Sequence, residues 1–151
     1  MPPVVPTGRL LVIVLRPGAR LPVRKVEEAR AVAGQGLVGD HAGGGKRQVT
    51  LLAREAWQAA CSQLGRELDP GIRRANLVVE GVDLAATIGR RLRLGEVVIE
   101  VLGETRPCEL MDDDGRIGLM AALRPERRGG VYGAIVTGGT LRVGDVCGVE
   151  A

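Results

Sequence analysis

Apolar residues fall in short runs separated by glycine. Leu10–Leu15 is an unbroken run between Gly8 and the Pro17-Gly18 turn, and it predicts a buried strand. Arg47–Leu52, "RQVTLL", predicts the next strand. Ala53, Ala56, Trp57, Ala60 and Leu64 then recur at helical spacing, and Gly65 stands where a helix C-cap belongs. "ANLVVEGV" predicts a strand. "RRLRLGEVVIEVLG" predicts a hairpin turning near Gly95-Glu96, with Val97, Ile99 and Val101 alternating onto one face. "GRIGLMAALRPE" reads as a short amphipathic helix broken by Pro125, and the remainder as two or three strands punctuated by Gly138-Gly139 and Gly144-Asp145. Between the first two strands lies a glycine-rich loop, Gly34 to Gly45, too polar for core. Seven or so short strands and two or three short helices, with no repeat or linker, predict one domain over residues 1–151, mainly β and barrel-like.

Composition sharpens this. There is no Phe, one Trp and one Tyr, so the core must be Val, Leu, Ile and Ala. A net charge of +3, carried mostly by scattered arginines, suits a small anionic ligand. It makes no basic stripe, and the missing aromatics remove the stacking platform that single strands need, so nucleic-acid binding is not expected. Cys61, Cys108 and Cys147 are an odd number without a C-x-x-C pair, which argues against a disulfide framework. The apolar run near the start is too short for a membrane span or signal peptide. A cytoplasmic protein with free thiols is expected, without a membrane partner.

Three places could carry chemistry. In "RPCELMDDD", Pro107 stiffens the chain around Cys108, and Arg106 supplies a counter-charge for a thiolate. The residues alone leave Cys108 open as nucleophile, metal ligand or packed thiol. The glycine loop offers Gly39, Asp40 and the sole histidine, His41, followed by Lys46 and Arg47; glycines expose backbone N–H groups, and the two cations suit phosphate. It is not a phosphate-binding Walker loop, because Arg47 stands where that pattern needs Ser or Thr. Arg73, Arg74 and Asn76 precede a strand and could clamp a phosphate or a pterin-like edge. Asp112–Asp114 read as a turn that starts the following helix.

Taken in order, "GLVGDH", "KRQVTLL", "RRANLVVEGVDL", "IGRRLRLGEVVIEV", "PCELM", "RGGVYGAIVTGG" and "LRVGDVC" resemble the MOSC family, the domain at the C-terminus of molybdenum cofactor sulfurases and in free-standing bacterial proteins. The resemblance covers roughly Leu10 to Val149 and fits the short, free-standing form. It implies a β-barrel fold with a cleft where loops meet. It implies that Cys108 ligates the molybdenum of a bound molybdopterin cofactor, supporting oxygen-atom or two-electron transfer on a small substrate. The alternative it implies is a persulfide on Cys108, for sulfur transfer in cofactor maturation. Gly39, Asp40, His41, Lys46, Arg47, Arg74 and Asn76 would line the cleft. Implied partners are molybdopterin and a cysteine desulfurase or redox protein; pyridoxal phosphate (PLP) would enter only with a separate desulfurase.

Overall fold

The computed structural model describes residues 3–151; Met1 and Pro2, part of the expected 1–151 domain, lie outside the described residues. Seven strands close into a barrel. They are β1 (Val4–Leu15), β5 (Val49–Ala53), β6 (Leu77–Glu80), β7 (Arg91–Leu94), β8 (Val97–Glu104), β9 (Val131–Thr137) and β11 (Val146–Glu150). Around the barrel the order is β1-β11-β7-β8-β9-β5-β6, and the β1–β11 and β1–β6 pairings complete the ring. All neighbours are antiparallel except β5 and β6. That parallel pair needs a crossover, which α1 (Arg54–Leu64) supplies. Gly65 caps α1 in the left-handed region at φ 75°, its N–H bonding the carbonyls of Cys61 and Ser62.

Short strand β2 (Arg24–Val26) pairs with the end of β1. A second, three-stranded sheet joins β3 (Glu28–Val32), β4 (Gly36–Leu37) and β10 (Gly139–Arg142) in the order β10-β3-β4. The open part of the glycine loop is therefore shorter than expected. Gly36-Leu37 pairs back on Ala31-Val32, because Leu37, Ala29, Ala31 and Leu141 all point into the barrel core. The second helix, α2 (Leu119–Leu123), stops before Pro125, as the sequence predicts.

The continuous apolar runs have two faces, and each face has its own core. Leu51, Leu77 and Val79 point into the barrel, where Leu10, Leu92, Ile99 and Val131 fill the interior. Their neighbours Leu52 and Val78 point outward, against Trp57 and Ala60 of α1 and Leu119 and Leu123 of α2. Side chains alternate along a strand, so a strand between two cores must be apolar throughout. Trp57 closes the outer layer by donating its indole N–H to the Leu68 carbonyl at 2.8 Å. No helix among the described residues is long and apolar enough to cross a membrane.

Candidate functional site

Cys108 follows the end of β8. Thr105 is buried; its N–H bonds the Gly130 carbonyl at 2.9 Å, and its hydroxyl donates to the Gly129 carbonyl at 2.8 Å. Pro107 is buried as well, and Met111, 7 % exposed, anchors the far side through its N–H to the Cys108 carbonyl at 3.0 Å. Cys108, with extended backbone (φ −121°, ψ 175°), is exposed between these anchors and precedes the single 3₁₀ turn Glu109–Asp112. A thiol is thus held at a set point and open to solvent. Asp112 accepts the Met120 N–H at 2.8 Å, which ties the turn to α2, and Asp114 is exposed beside Arg116. The acidic run belongs to the turn.

The guanidinium that addresses the thiol comes from elsewhere. Arg106 projects into solvent, its side chain 88 % exposed, and among the described residues reaches only Glu104, at 3.9 Å. Arg73 lies largely buried among Cys108, Glu104 and Arg47. Its Nε donates to the Gly129 carbonyl at 2.9 Å and its NH2 group to the Thr105 carbonyl at 2.7 Å, so it ties the start of the Cys108 loop to the turn before β9. Burial lowers the Arg73 pKa from its ordinary value; Cys108 opposes that fall, Arg47 adds to it and Glu104 opposes it. Arginine keeps its proton throughout. Arg47 stacks on the Tyr132 ring, 5.1 Å from its centroid, which aims an exposed guanidinium at the same place. Two like charges side by side favour an anion between or beside them. The backbone at Gly130 has φ 101°, and a Cβ there would strike the Leu51 carbonyl, so only glycine lets this turn close against β5.

A second set of expected cleft residues is buried. Asn76, 0 % exposed, is a hub. Its amide oxygen accepts the Thr50 N–H at 3.0 Å and the Arg16 guanidinium at 3.1 Å, while its amide nitrogen donates to the Val14 carbonyl and to Asp40, both at 3.0 Å. The Asp40 side chain, fully buried, accepts from the Arg16 backbone at 2.7 Å and from its Nε and one terminal guanidinium nitrogen at 3.1 and 3.0 Å. Burial by itself pushes the Asp40 pKa up; the bonds to Arg16, its positive charge and the Asn76 amide outweigh burial and hold it below 3.8.

The remaining candidates divide between these two places. His41, exposed, places Nδ1 3.1 Å from the Arg16 carbonyl. Arg74, left-handed at φ 60°, donates to the carbonyls of Leu21 and Gly18 at 2.6 and 3.2 Å and so ties the β1–β2 connection to the turn before β6. Gly39, at φ 92°, abuts Leu15, and Lys46 is exposed. A Cβ at Gly44 or Gly45 would meet nothing within 4 Å, which leaves that backbone open to a ligand. Arg16, Thr50, Tyr132 and the role of Arg73 over Arg74 escaped the sequence reading. Arg16 had one signal, an arginine at the buried end of a strand directly before a Pro-Gly turn.

The other thiols are core. Cys61 is 8 % exposed and Cys147 1 %. Burial, the largest influence, pushes the Cys147 pKa up to about 11, so it stays a thiol at neutral pH. Among the described residues no group of three or more His, Cys, Asp or Glu side chains could hold a metal. One exposed thiol, two guanidiniums and an open glycine backbone fit an anionic organic cofactor whose metal takes a single protein sulfur.

The MOSC domain model matches residues 38–147. Comparison with proteins of curated function gave no significant match. Among solved structures, the YuaD protein of Bacillus subtilis superposes with a TM-score of 0.79 at 18% identity, over 100% of this chain and 99% of that one. YiiM of Escherichia coli gives 0.69 at 18% identity, covering 95% of this chain and 70% of that one. YiiM of Geobacillus stearothermophilus gives 0.66 at 15% identity, covering 99% and 76%. At these identities the likeness is one of fold.

Proposed function

The chain belongs to the MOSC domain family, and from that premise we propose that it binds the molybdenum cofactor with Cys108 as the protein ligand to molybdenum. The observation that carries this reading is the exposed Cys108 thiol, pinned by buried Thr105, Pro107 and Met111 and faced by Arg73. A soft thiolate on a rigid loop suits a thiophilic metal. When bound, the cofactor supplies two-electron, oxygen-atom transfer chemistry. The chain's own residues bind and orient. Arg73 holds the loop through two carbonyls and lends positive charge beside the sulfur, and Arg47, fixed on Tyr132, receives an anionic group. Asp40, Asn76 and Arg16 act at one remove. Their buried network sets the position of the strand ends that carry the glycine loop and the turn of Arg73.

A second reading draws on the exposure of Cys108, which lets a partner protein reach it. The Cys108 thiolate attacks the outer sulfur of a desulfurase persulfide. A new S–S bond forms on Cys108, the donor's S–S bond breaks, and the donor leaves as a thiolate. Metal and pterin analysis of the purified protein decides between the two. One molybdenum and one pterin per chain, both lost in Cys108→Ser, is the expected result. No molybdenum, together with a gain of about 32 Da on Cys108 after incubation with a desulfurase and cysteine, would replace the first reading by the second.

A further inference from the structure

A groove of about 800 Å³ runs beside the Cys108 loop but does not include the cysteine. Its volume lies in the range that encloses a small organic ligand. Ala53, Ala56 and Ala59 make a floor of small side chains, and Val82, Leu84 and Ala85 continue it up one wall. The opposite wall is the segment from Arg124 to Gly130. Glu104 stands where groove and Cys108 site meet, since it lines the groove and also interacts with Arg73. Gly129 and Gly130 are the partition. A Cβ on Gly129 would crowd Arg73 and Pro107 on the Cys108 side, while Gly130 lines the groove.

Charge is distributed unevenly over these walls. Arg124, Arg127 and Arg128 outnumber the exposed Glu126 on one. Among the described residues the Arg124 side chain reaches only the Met120 sulfur, at 3.8 Å, and the exposed Arg127 side chain makes no bond. Arg128 braces the wall against α1 and α2 through Gln63 and the Ala122 carbonyl, yet its buried Nε has no acceptor among the described residues. On the facing wall Glu55 is occupied by the Gly81 N–H at 2.7 Å, whereas Asp83 is exposed and has no side-chain bond among the described residues. Glu126 and Arg127 are both left-handed, at φ 55° and 54°, a conformation that non-glycine residues seldom adopt and that clusters at ligand clamps. That strained pair is the lip of the arginine wall.

We propose that this groove binds a flat, apolar-bodied small molecule with an anionic group for Arg124 and Arg127 at one edge and a cationic or hydrogen-bond-donating group for Asp83 at the other. A ligand lying on the alanine floor has one end at Glu104, against the loop that carries Cys108. Its role as substrate rests on the reading of Cys108 given above; its binding does not.

The test uses the full chain, labelled for amide NMR, titrated with 6-(aminomethyl)-2-naphthoate. 2-Naphthoate and 2-naphthylmethylamine serve as the half-charged controls. Saturable shifts at the amides of Ala56, Ala59, Val82 and Leu84 are expected, with the zwitterion tighter than either control. Arg124→Ala combined with Arg127→Ala should weaken the zwitterion and the naphthoate by roughly tenfold and leave the amine unchanged. Asp83→Asn should weaken the zwitterion and the amine by about threefold. These three side chains are exposed and bond no backbone carbonyl, so the variants should melt with the parent. Scattered or absent shifts overturn the proposal, as does equal binding of all three probes or indifference to the arginine changes. Cys108→Ser should bind the probes unchanged. Groove binding that persists in a chain never loading molybdenum or sulfur overturns the reading of Cys108 and leaves the groove site standing; the reverse pattern overturns the groove alone.

Discussion

Two clusters of polar residues lie near one another in this fold, and they have opposite characters. Around Asn76 the polar groups satisfy one another: Asp40, Arg16, Thr50 and the Val14 carbonyl form one network, with the Asp40 and Asn76 side chains buried. Around Cys108, groups are held but not used up. Arg73 spends its guanidinium on two carbonyls and still lies within electrostatic range of Cys108, and Arg47 rests on an aromatic ring with its charge exposed. A buried network with complete hydrogen bonding rigidifies, whereas an exposed thiol and unneutralised cations leave free energy for a ligand. The difference separates residues that build the cleft from residues that can work in it.

The largest effect should come from removing the hub. Asn76→Leu strands the Thr50 N–H and the Val14 carbonyl and takes one donor from Asp40, and should cost about 3 kcal/mol in urea unfolding. Loss of that size from Cys108→Ser instead would erase the distinction between the two clusters.

Acid should act on the same hub. The Asp40 pKa is lower in the folded chain than unfolded, so its contribution is present above the unfolded value of 3.8 and is lost as pH falls through the lower, folded one. Unfolding free energies measured across that acid window should fall with pH in the wild type. Asp40→Asn should be less stable near neutrality and show a flatter acid limb. An unchanged limb would remove Asp40 from the account.

A smaller effect is expected from Arg73→Ala, which deletes the hydrogen bonds to the Thr105 and Gly129 carbonyls and should cost about 1–2 kcal/mol. It should also slow the reaction of Cys108 with an anionic aromatic disulfide several-fold while sparing a neutral maleimide, and Arg73→Lys should restore part of the difference. Arg106→Ala should do neither, because its side chain points into solvent. If Arg106 and not Arg73 set the reagent preference, the assignment of the counter-charge is reversed.

Least of all should Cys108→Ser disturb the fold, within roughly 0.5 kcal/mol of wild type. The native chain should take up maleimide at Cys108 only, with Cys61 and Cys147 reacting after unfolding. Labelling of either buried thiol in the native state would contradict the two-core packing.

Most of the barrel could be read along the chain because local rules govern it. Alternation in Val97, Ile99 and Val101, the helical stripe ending at Gly65 and the break at Pro125 each depend on residues a few positions apart. The β3–β4 pairing hidden in the glycine loop did not show, because Gly36-Leu37 is too short to make a pattern and is held by its place in the core. The structure divides the candidate residues between the buried Asn76 network and the surroundings of Cys108, a division that residue order does not show. Nothing in "RRAN" says which arginine turns inward. The left-handed backbone at Arg74 sends its side chain to Gly18 and Leu21, while Arg73 turns to the Thr105 and Gly129 carbonyls beside Cys108.

By itself, then, the amino-acid order determined a mainly-β chain with apolar strands, glycine turns and a proline-stiffened cysteine free of any cysteine partner nearby in sequence. Tertiary structure alone decided that the ring closes through β1 and β11, that Asp40 and Asn76 are buried and satisfied, and that Cys108 emerges beside Arg73 and Arg47. The reason is physical: periodicity records which face of an element is apolar, but the charge a thiol meets depends on side chains brought from distant strands.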